Sequence, residues 1–247
     1  ELVVDQTTEQ VRLLMRVKQV LKERALMLYA QPIHNREGEG YHEILTRMRC
    51  GDSVIMPDQF IPLIVQFNLS QRFDMLVLET LFSVLHQHPG QRFSVNLLPA
   101  TLMQKDSAAQ IIALFQRYAV SPGLITIEVT EEQAFSNADI SQQNLEALRA
   151  FGCAIAIDDF GTGYANYERL KHLQADIIKI DGCFVRDILT DPLDAIMVKS
   201  IVEMARAKQM SVVAEYVESE PQKARLLELG VNYLQGYLVG KPRPLGE

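Results

Sequence analysis

The chain of 247 residues is 48% hydrophobic and 22% charged, enough for one sizeable core in the size range of a single α/β barrel, and it does not require two domains. Thirty-one acidic residues against twenty-four basic ones give a formal net charge of -7, which excludes a whole-molecule field for a long nucleic-acid backbone but not a small phosphate ligand held by local positive charge. Cys50, Cys153 and Cys183 are far apart with no CxxC pair, the apolar runs are shorter than a membrane span, and the start is neither a signal peptide nor a Met. These features fit a soluble cytoplasmic domain cut from a longer protein.

Val11, Leu14, Val17 and Leu21 recur at helical spacing, with Leu13 and Val20 widening the face, and predict a leading helix over Thr7 to Arg24. Ala25 to Gln31 and Tyr41 to Arg49 read as two strands of a hairpin, separated by Pro32 and a polar stretch. Helices follow at Asp58 to Phe67, after Pro57, and at Ser70 to Gln87, with Ser70 as candidate cap. Further strands are expected at Phe93 to Leu97, Leu124 to Val129, Cys153 to Asp158, Asp176 to Ile180, Ser211 to Ala214 and Asn232 to Gln235. Helices lie between most of them, at Ala108 to Tyr118, Ile140 to Ala150, Pro192 to Lys208 and Glu220 to Leu229, the last capped by Ser219; a weaker segment spans Tyr164 to His172. Eight strands in this rhythm suit a closed (β/α)8 barrel, while an open doubly wound sheet stays compatible with the periodicity. No Gly-rich dinucleotide fingerprint follows the first strand, and Gly161-Thr162-Gly163 lacks the third glycine.

In a barrel the C-terminal strand ends converge on one face. Asn96, Glu128, Asp158, Asp159, Lys179, Asp181, Glu215 and Gln235 all fall at or just beyond such ends. Any one of them alone is an ordinary cap or turn residue. Several carboxylates crowded together raise one another's pKa and cost stability unless cations offset them, and oxygen ligands suit Mg²⁺ or Mn²⁺ better than zinc. The five histidines form no ligand cluster, and His172 reads as structural or exposed. Glu43 lies near the start of its strand, so it joins the set if the second strand of the hairpin runs backwards.

The quoted segments, taken together, closely resemble the EAL-domain family of bacterial cyclic di-GMP phosphodiesterases. The resemblance runs from Leu28-Tyr29-Ala30-Gln31-Pro32-Ile33 to Gln235-Gly236-Tyr237-Leu238 and Lys241-Pro242. Between them stand Glu43-Ile44-Leu45, Ser94-Val95-Asn96-Leu97, Glu128-Val129-Thr130-Glu131, Asp158 to Tyr164, Lys179-Ile180-Asp181 and Ala214 to Glu218. It implies a modified (β/α)8 TIM barrel with one antiparallel strand, a leading linker helix over 1–24 and the EAL domain proper over 25–247. It also implies two Mg²⁺ or Mn²⁺ ions and hydrolysis of cyclic di-GMP to linear pGpG.

By the same resemblance Glu43, Asn96, Glu128, Asp158, Asp159, Asp181 and Glu215 form the metal and water-positioning shell, with Asp158 bridging. Lys179, Glu43, Asp181 and Glu215 carry catalysis, Gln31, Arg47 and Gln235 meet the substrate, and Glu131 anchors the Asp159 to Tyr164 loop. A lysine of ordinary pKa is a poor base at neutral pH, which assigns Lys179 electrostatic and positioning work. The chain departs from the family pattern at Ile44, Met48, Gly182, Tyr216 and Ala165-Asn166-Tyr167. The competing reading is a catalytically inactive cyclic di-GMP receptor, which the complete polar set opposes. The resemblance further implies a homodimer and an upstream sensory or regulatory domain, including an inner-membrane sensor arrangement.

Overall fold

The computed structural model describes residues 2–163 and 167–246. The chain runs α1 (Leu2–Glu23), β1 (Leu26–His34), β2 (Gly40–Cys50), β3 (Ser53–Ile55), α2 (Pro57–Gln66), α3 (Ser70–Val84), β4 (Phe93–Asn96), α4 (Pro99–Leu102) and α5 (Ser107–Arg117). It continues through β5 (Ile125–Thr130), α6 (Glu131–Ala134), α7 (Asp139–Phe151), β6 (Ala154–Phe160), α8 (Tyr167–His172), β7 (Ile177–Ile180), α9 (Pro192–Ala207), β8 (Ser211–Ala214), α10 (Glu220–Glu228), β9 (Tyr233–Gln235) and β10 (Arg243–Pro244). The expected strands and long helices appear with shifted ends; β3, β10, α4 and α6 are additional. Of the expected Tyr164 to His172 segment, 164–166 lie outside the described residues.

Eight strands close the barrel. β2, β4, β5, β6, β7, β8 and β9 pair in parallel in that order, and β1 closes the ring antiparallel to both β9 and β2. The reversed strand is therefore β1, and the expectation that its partner runs backwards is corrected. A hairpin turn fixes two strands antiparallel to each other without saying which one follows the rest of the sheet. The register of His42 with Phe93 and Glu43 with Ser94 decides it in favour of β2. Glu43 still reaches the C-terminal rim, because β2 is 11 residues long and leaves β4 after Glu43 while pairing onward with β1 and β3.

Period-two alternation sorts each strand into an outer and an inner face. Outward residues such as Val95, Ile127, Ile157, Ile178 and Val212 join the main core under the helices. Ile33, Tyr41 and Val213, with Ile177 and Tyr233 against them, form a separate apolar plug inside the barrel. Two residues further along the same strands stand Gln31, Glu43, Lys179, Glu215 and Gln235. The plug is the floor on which the polar layer sits.

The helices cover the outer face with apolar stripes: Phe73, Val77 and Leu81 on α3, Ile111 and Phe115 on α5, Val198, Ile201, Val202 and Ala205 on α9. Each such burial contributes roughly 1.5–3 kcal/mol against exposure. α1 begins earlier than expected and buries Val17, Val20 and Leu21 in the same core. Ser219 caps α10 in a reciprocal box with Gln222. Ser70 is not a cap. The chain leaves α2 through left-handed Asn68, so Leu69 takes the cap position and Ser70 enters the helix with its buried hydroxyl unpartnered among the described residues.

Asp74 of α3 ties the helix layer to the end of β4. Its Oδ2 accepts from Leu98 N at 2.8 Å and Thr101 Oγ1 at 2.5 Å, just beyond Asn96. The carboxyl is 1% exposed, and burial pushes it up from 3.8 to about 7, against the pull of the two hydrogen bonds. Between those values the folded chain holds a proton that the unfolded chain releases, so this contribution to stability is present at low pH and is lost as pH rises towards 7. Relative to Asp74→Asn, wild-type unfolding free energy should fall by roughly 1.4 kcal/mol per pH unit across that window and level above it. Denaturant unfolding of both proteins from pH 5 to pH 8 measures this; parallel curves would remove Asp74 from the account.

Candidate metal centre and ligand cleft

The polar layer is built around one buried ammonium. Lys179, in the middle of β7 and 1% exposed, brings Nζ to 2.5 Å from Glu43, 2.9 Å from Glu128, 3.1 Å from Glu215 and 3.9 Å from Asp158. These carboxylates come from β2, β5, the end of β8 and β6, which only the closed barrel brings together. Burial alone would strip the lysine of its proton, yet Glu128, Glu43, Glu215 and Asp158 hold it well above the usual lysine range. Glu43 is pushed up by burial but held below the carboxylate range by Lys179. Glu128 is driven well above that range by burial and by Glu43. Glu215 is raised likewise by burial and by Asp158, despite Lys179.

Asp158 and Asp159 owe their aim to an irregularity. β6 runs on to Phe160, and its register with β7 shifts between Ile157 and Phe160, leaving the two aspartates in a bulge. Asp159 adopts φ +52°, rare for a residue with a side chain. Oxygens of Asp158, Asp159 and Glu215 lie within 4.8 Å of one another. Burial, Asp158 and then Asp181 push Asp159 up to about 6.

The loop that follows is held from below. Thr130 and Gln133 cap the short α6 reciprocally, which sets Glu131 at its start, 2% exposed. Glu131 Oε2 accepts from Gly161 N at 3.1 Å and Thr162 N at 3.2 Å. A side chain at Gly161, where φ is +104°, would meet the Phe184 ring at 2.6 Å, so the loop also packs on the turn after β7. Tyr164 and its successors Ala165 and Asn166, part of the expected motif, lie outside the described residues.

Above this floor opens a cleft of about 620 Å³. Glu43, Asp158, Asp159 and Glu215 form its base, and Gln31, Arg47 and Gln235 its wall. Gln235 Nε2 donates to Gln31 Oε1 at 3.1 Å, and Gln31 Nε2 donates to Gly240 O at 3.2 Å. Arg47 lies 5.0 Å over the Tyr29 ring and donates to Thr46 O. Two expected residues are less central. Asn96 ends β4 in register with Glu128, with its side chain exposed, and Asp181 is half-buried with Oδ1 accepting from Cys183 N as cap of a turn. Tyr216, Glu218 and Tyr237 also line the cleft but stand outside the expected site. An aromatic directly after Glu215 was the available sign for Tyr216.

The donor set fits a hard divalent cation. Every candidate ligand offers oxygen, and of the buried Glu128 carboxylate Oε1 is paired with Lys179 Nζ at 2.9 Å while Oε2 has no hydrogen-bond donor among the described residues. Unsatisfied buried oxygens cost about 1–3 kcal/mol each, more when charged, and a cation offsets that cost.

A sequence profile of the EAL domain matches residues 15–242. The probable cyclic di-GMP phosphodiesterase PdeA of Escherichia coli (strain K12) is 59% identical over 100% of this chain and 34% of its own length. The cyclic di-GMP phosphodiesterase PdeF of the same organism is 43% identical over 96% of this chain and 32% of its own. This chain thus spans about a third of those relatives. The solved structure of PaMucR phosphodiesterase in complex with c-di-GMP superposes with a TM-score of 0.87 at 34% identity, covering 95% of this chain and 98% of that one. On this evidence the chain belongs to the EAL domain family.

Proposed function

We propose that this domain hydrolyses cyclic di-GMP to linear pGpG with two Mg²⁺ or Mn²⁺ ions. The observation that carries the reading is the buried Lys179 ammonium amid four carboxylates, directly beneath the Asp158, Asp159 and Glu215 oxygens at the base of an open cleft. Its support from relatives is that the similar PdeA and PdeF bear that activity in their names. In this reading Glu43, Asn96, Glu128, Asp158, Asp159, Asp181 and Glu215 hold the ions and their waters. Bound divalent ions supply an acidified water and offset charge at a phosphoryl group.

The protein's own groups do the rest. Lys179, paired with Glu43, Glu128 and Glu215, stabilises negative charge and keeps those carboxylates facing one another. Arg47 meets a substrate phosphate, and Gln31 and Gln235, already hydrogen-bonded to each other, orient the ligand. Glu131 fixes the bulge aspartates through the loop behind them.

The reading takes 25–247 as the catalytic unit, with the 1–24 helix leading from a sensory or regulatory portion of a longer protein. No helix among the described residues is long and apolar enough to cross a membrane. We take the domain to work on the cytoplasmic side, including beside an inner-membrane sensor. Exposed Leu189, just before α9, and Leu193 and Ile196 in its first turns favour a homodimer.

Purified protein with cyclic di-GMP and Mg²⁺ or Mn²⁺ should yield pGpG by chromatography. Lys179→Ala and Glu43→Ala should each lower kcat by about 10²-fold or more. Tight binding without turnover at every metal concentration would favour a receptor instead. Glu131→Gln keeps the shape but removes the charge-assisted acceptor, so Mn²⁺ affinity by EPR titration and turnover should both fall by roughly 10-fold or more. Unchanged affinity and turnover would strip Glu131 of its anchoring role.

A further inference from the structure

Six described residues other than glycine adopt a left-handed backbone, with φ between 52° and 58°. Arg24, Asn68, Ala119 and Gln209 sit one or two residues beyond the ends of α1, α2, α5 and α9, where such a residue closes a helix. The other two, Asp159 and Tyr216, lie in the cleft. The β6 bulge accounts for Asp159. Tyr216 has no such account, and a bulky residue holds this conformation only at a cost.

Burial does not offset the cost, since Tyr216 is 68% exposed. The ring nonetheless has a close neighbour. A side chain on Gly182 would lie 2.4 Å from Tyr216 Cδ2 and 2.8 Å from Cγ, so the tyrosine ring rests against the bare backbone of the turn after β7. Gly182 and Tyr216, two separate departures in sequence, are one packing unit in space. The exposed side of the ring lines the cleft next to Glu215.

Divalent ions and Arg47 can meet the phosphates of a dinucleotide, while its flat bases need apolar or aromatic surface. Tyr216 and Tyr237 are the aromatic rings in the lining. Lys241 Nζ stands 5.2 Å over the Tyr237 ring, while no cation covers Tyr216 among the described residues.

We propose that Tyr216 is a substrate-binding platform on which one purine base of the substrate stacks, its ring resting on Gly182. This rests on the cyclic di-GMP reading above. A tyrosine ring has few rotatable bonds to immobilise when a base lies on it, and every purine offers a flat face.

Steady-state hydrolysis of cyclic di-GMP by wild type, Tyr216→Phe, Tyr216→Leu and Tyr216→Gly tests this, with inhibition by inorganic phosphate and thermal melts alongside. Stacking requires the Leu and Gly variants to raise KM by roughly 10-fold, more than they lower kcat, and Phe to stay within about twofold. The phosphate inhibition constant, which reports no base, should not follow KM. If wild type turns over cyclic di-GMP but Leu keeps the wild-type KM, or Phe loses as much as Leu, the stacking role is overturned while the phosphodiesterase reading stands. If wild type neither binds nor hydrolyses cyclic di-GMP, the underlying reading fails and takes the platform with it.

Discussion

The structure depends on a buried positive charge that exists only because buried negative charges surround it. Taken singly, Lys179 would lose its proton in the barrel and each carboxylate would gain one. Taken together, Glu43, Glu128 and Glu215 within about 3 Å keep the ammonium charged, and it in turn holds Glu43 ionised. None of the four is adjacent in sequence, so barrel closure is the condition for all of them. The reversed β1 matters for this reason: it seals the ring between β9 and β2 and lets β2 run parallel with Glu43 at the rim.

A second constraint acts on the bulge at the end of β6. A regular strand would send Asp158 and Asp159 to opposite faces. The register shift and the left-handed Asp159 bring both to Glu215, and that departure needs external support. Glu131 supplies it by accepting from the next two loop amides, and Phe184 by filling the space above Gly161. The loop therefore links the aspartates to α6 on one side and to the turn after β7 on the other.

Much of this was legible in the sequence because the barrel obeys period two. Tyr41 and Glu43, Ile177 and Lys179, Val213 and Glu215, Tyr233 and Gln235 are all apolar and polar residues two apart, one in the plug and one in the layer above. Strand ends could thus be found without coordinates. What the pattern leaves open is the sense of a hairpin: β1 and β2 are antiparallel whichever one is reversed, and only the long-range register of Glu43 with Ser94 separates the cases. Ser70 misled because a serine before an apolar run looks like a cap, while the approach through Asn68 decides where the helix begins. Tyr216 was visible as a departure, but its meaning required seeing Gly182 beneath it.

The polar layer also explains why a domain with a sound apolar core keeps so costly a feature. Glu43, Glu128, Asp158, Asp159 and Glu215 set five carboxylates against the single ammonium of Lys179, leaving four charges uncompensated if all are ionised. The raised pKa values of Glu128, Asp159 and Glu215 are the response of the protein left to itself: protons reduce the repulsion. In the proposed reading, divalent cations held by these oxygens would offset the repulsion that protons otherwise relieve. Lys179 resists proton uptake at Glu43, whose carboxyl it holds below the usual range. In the proposed reading, a phosphodiester arriving at such a layer would bring new negative charge, and Arg47, which lines the cleft wall, is the side chain that would meet it.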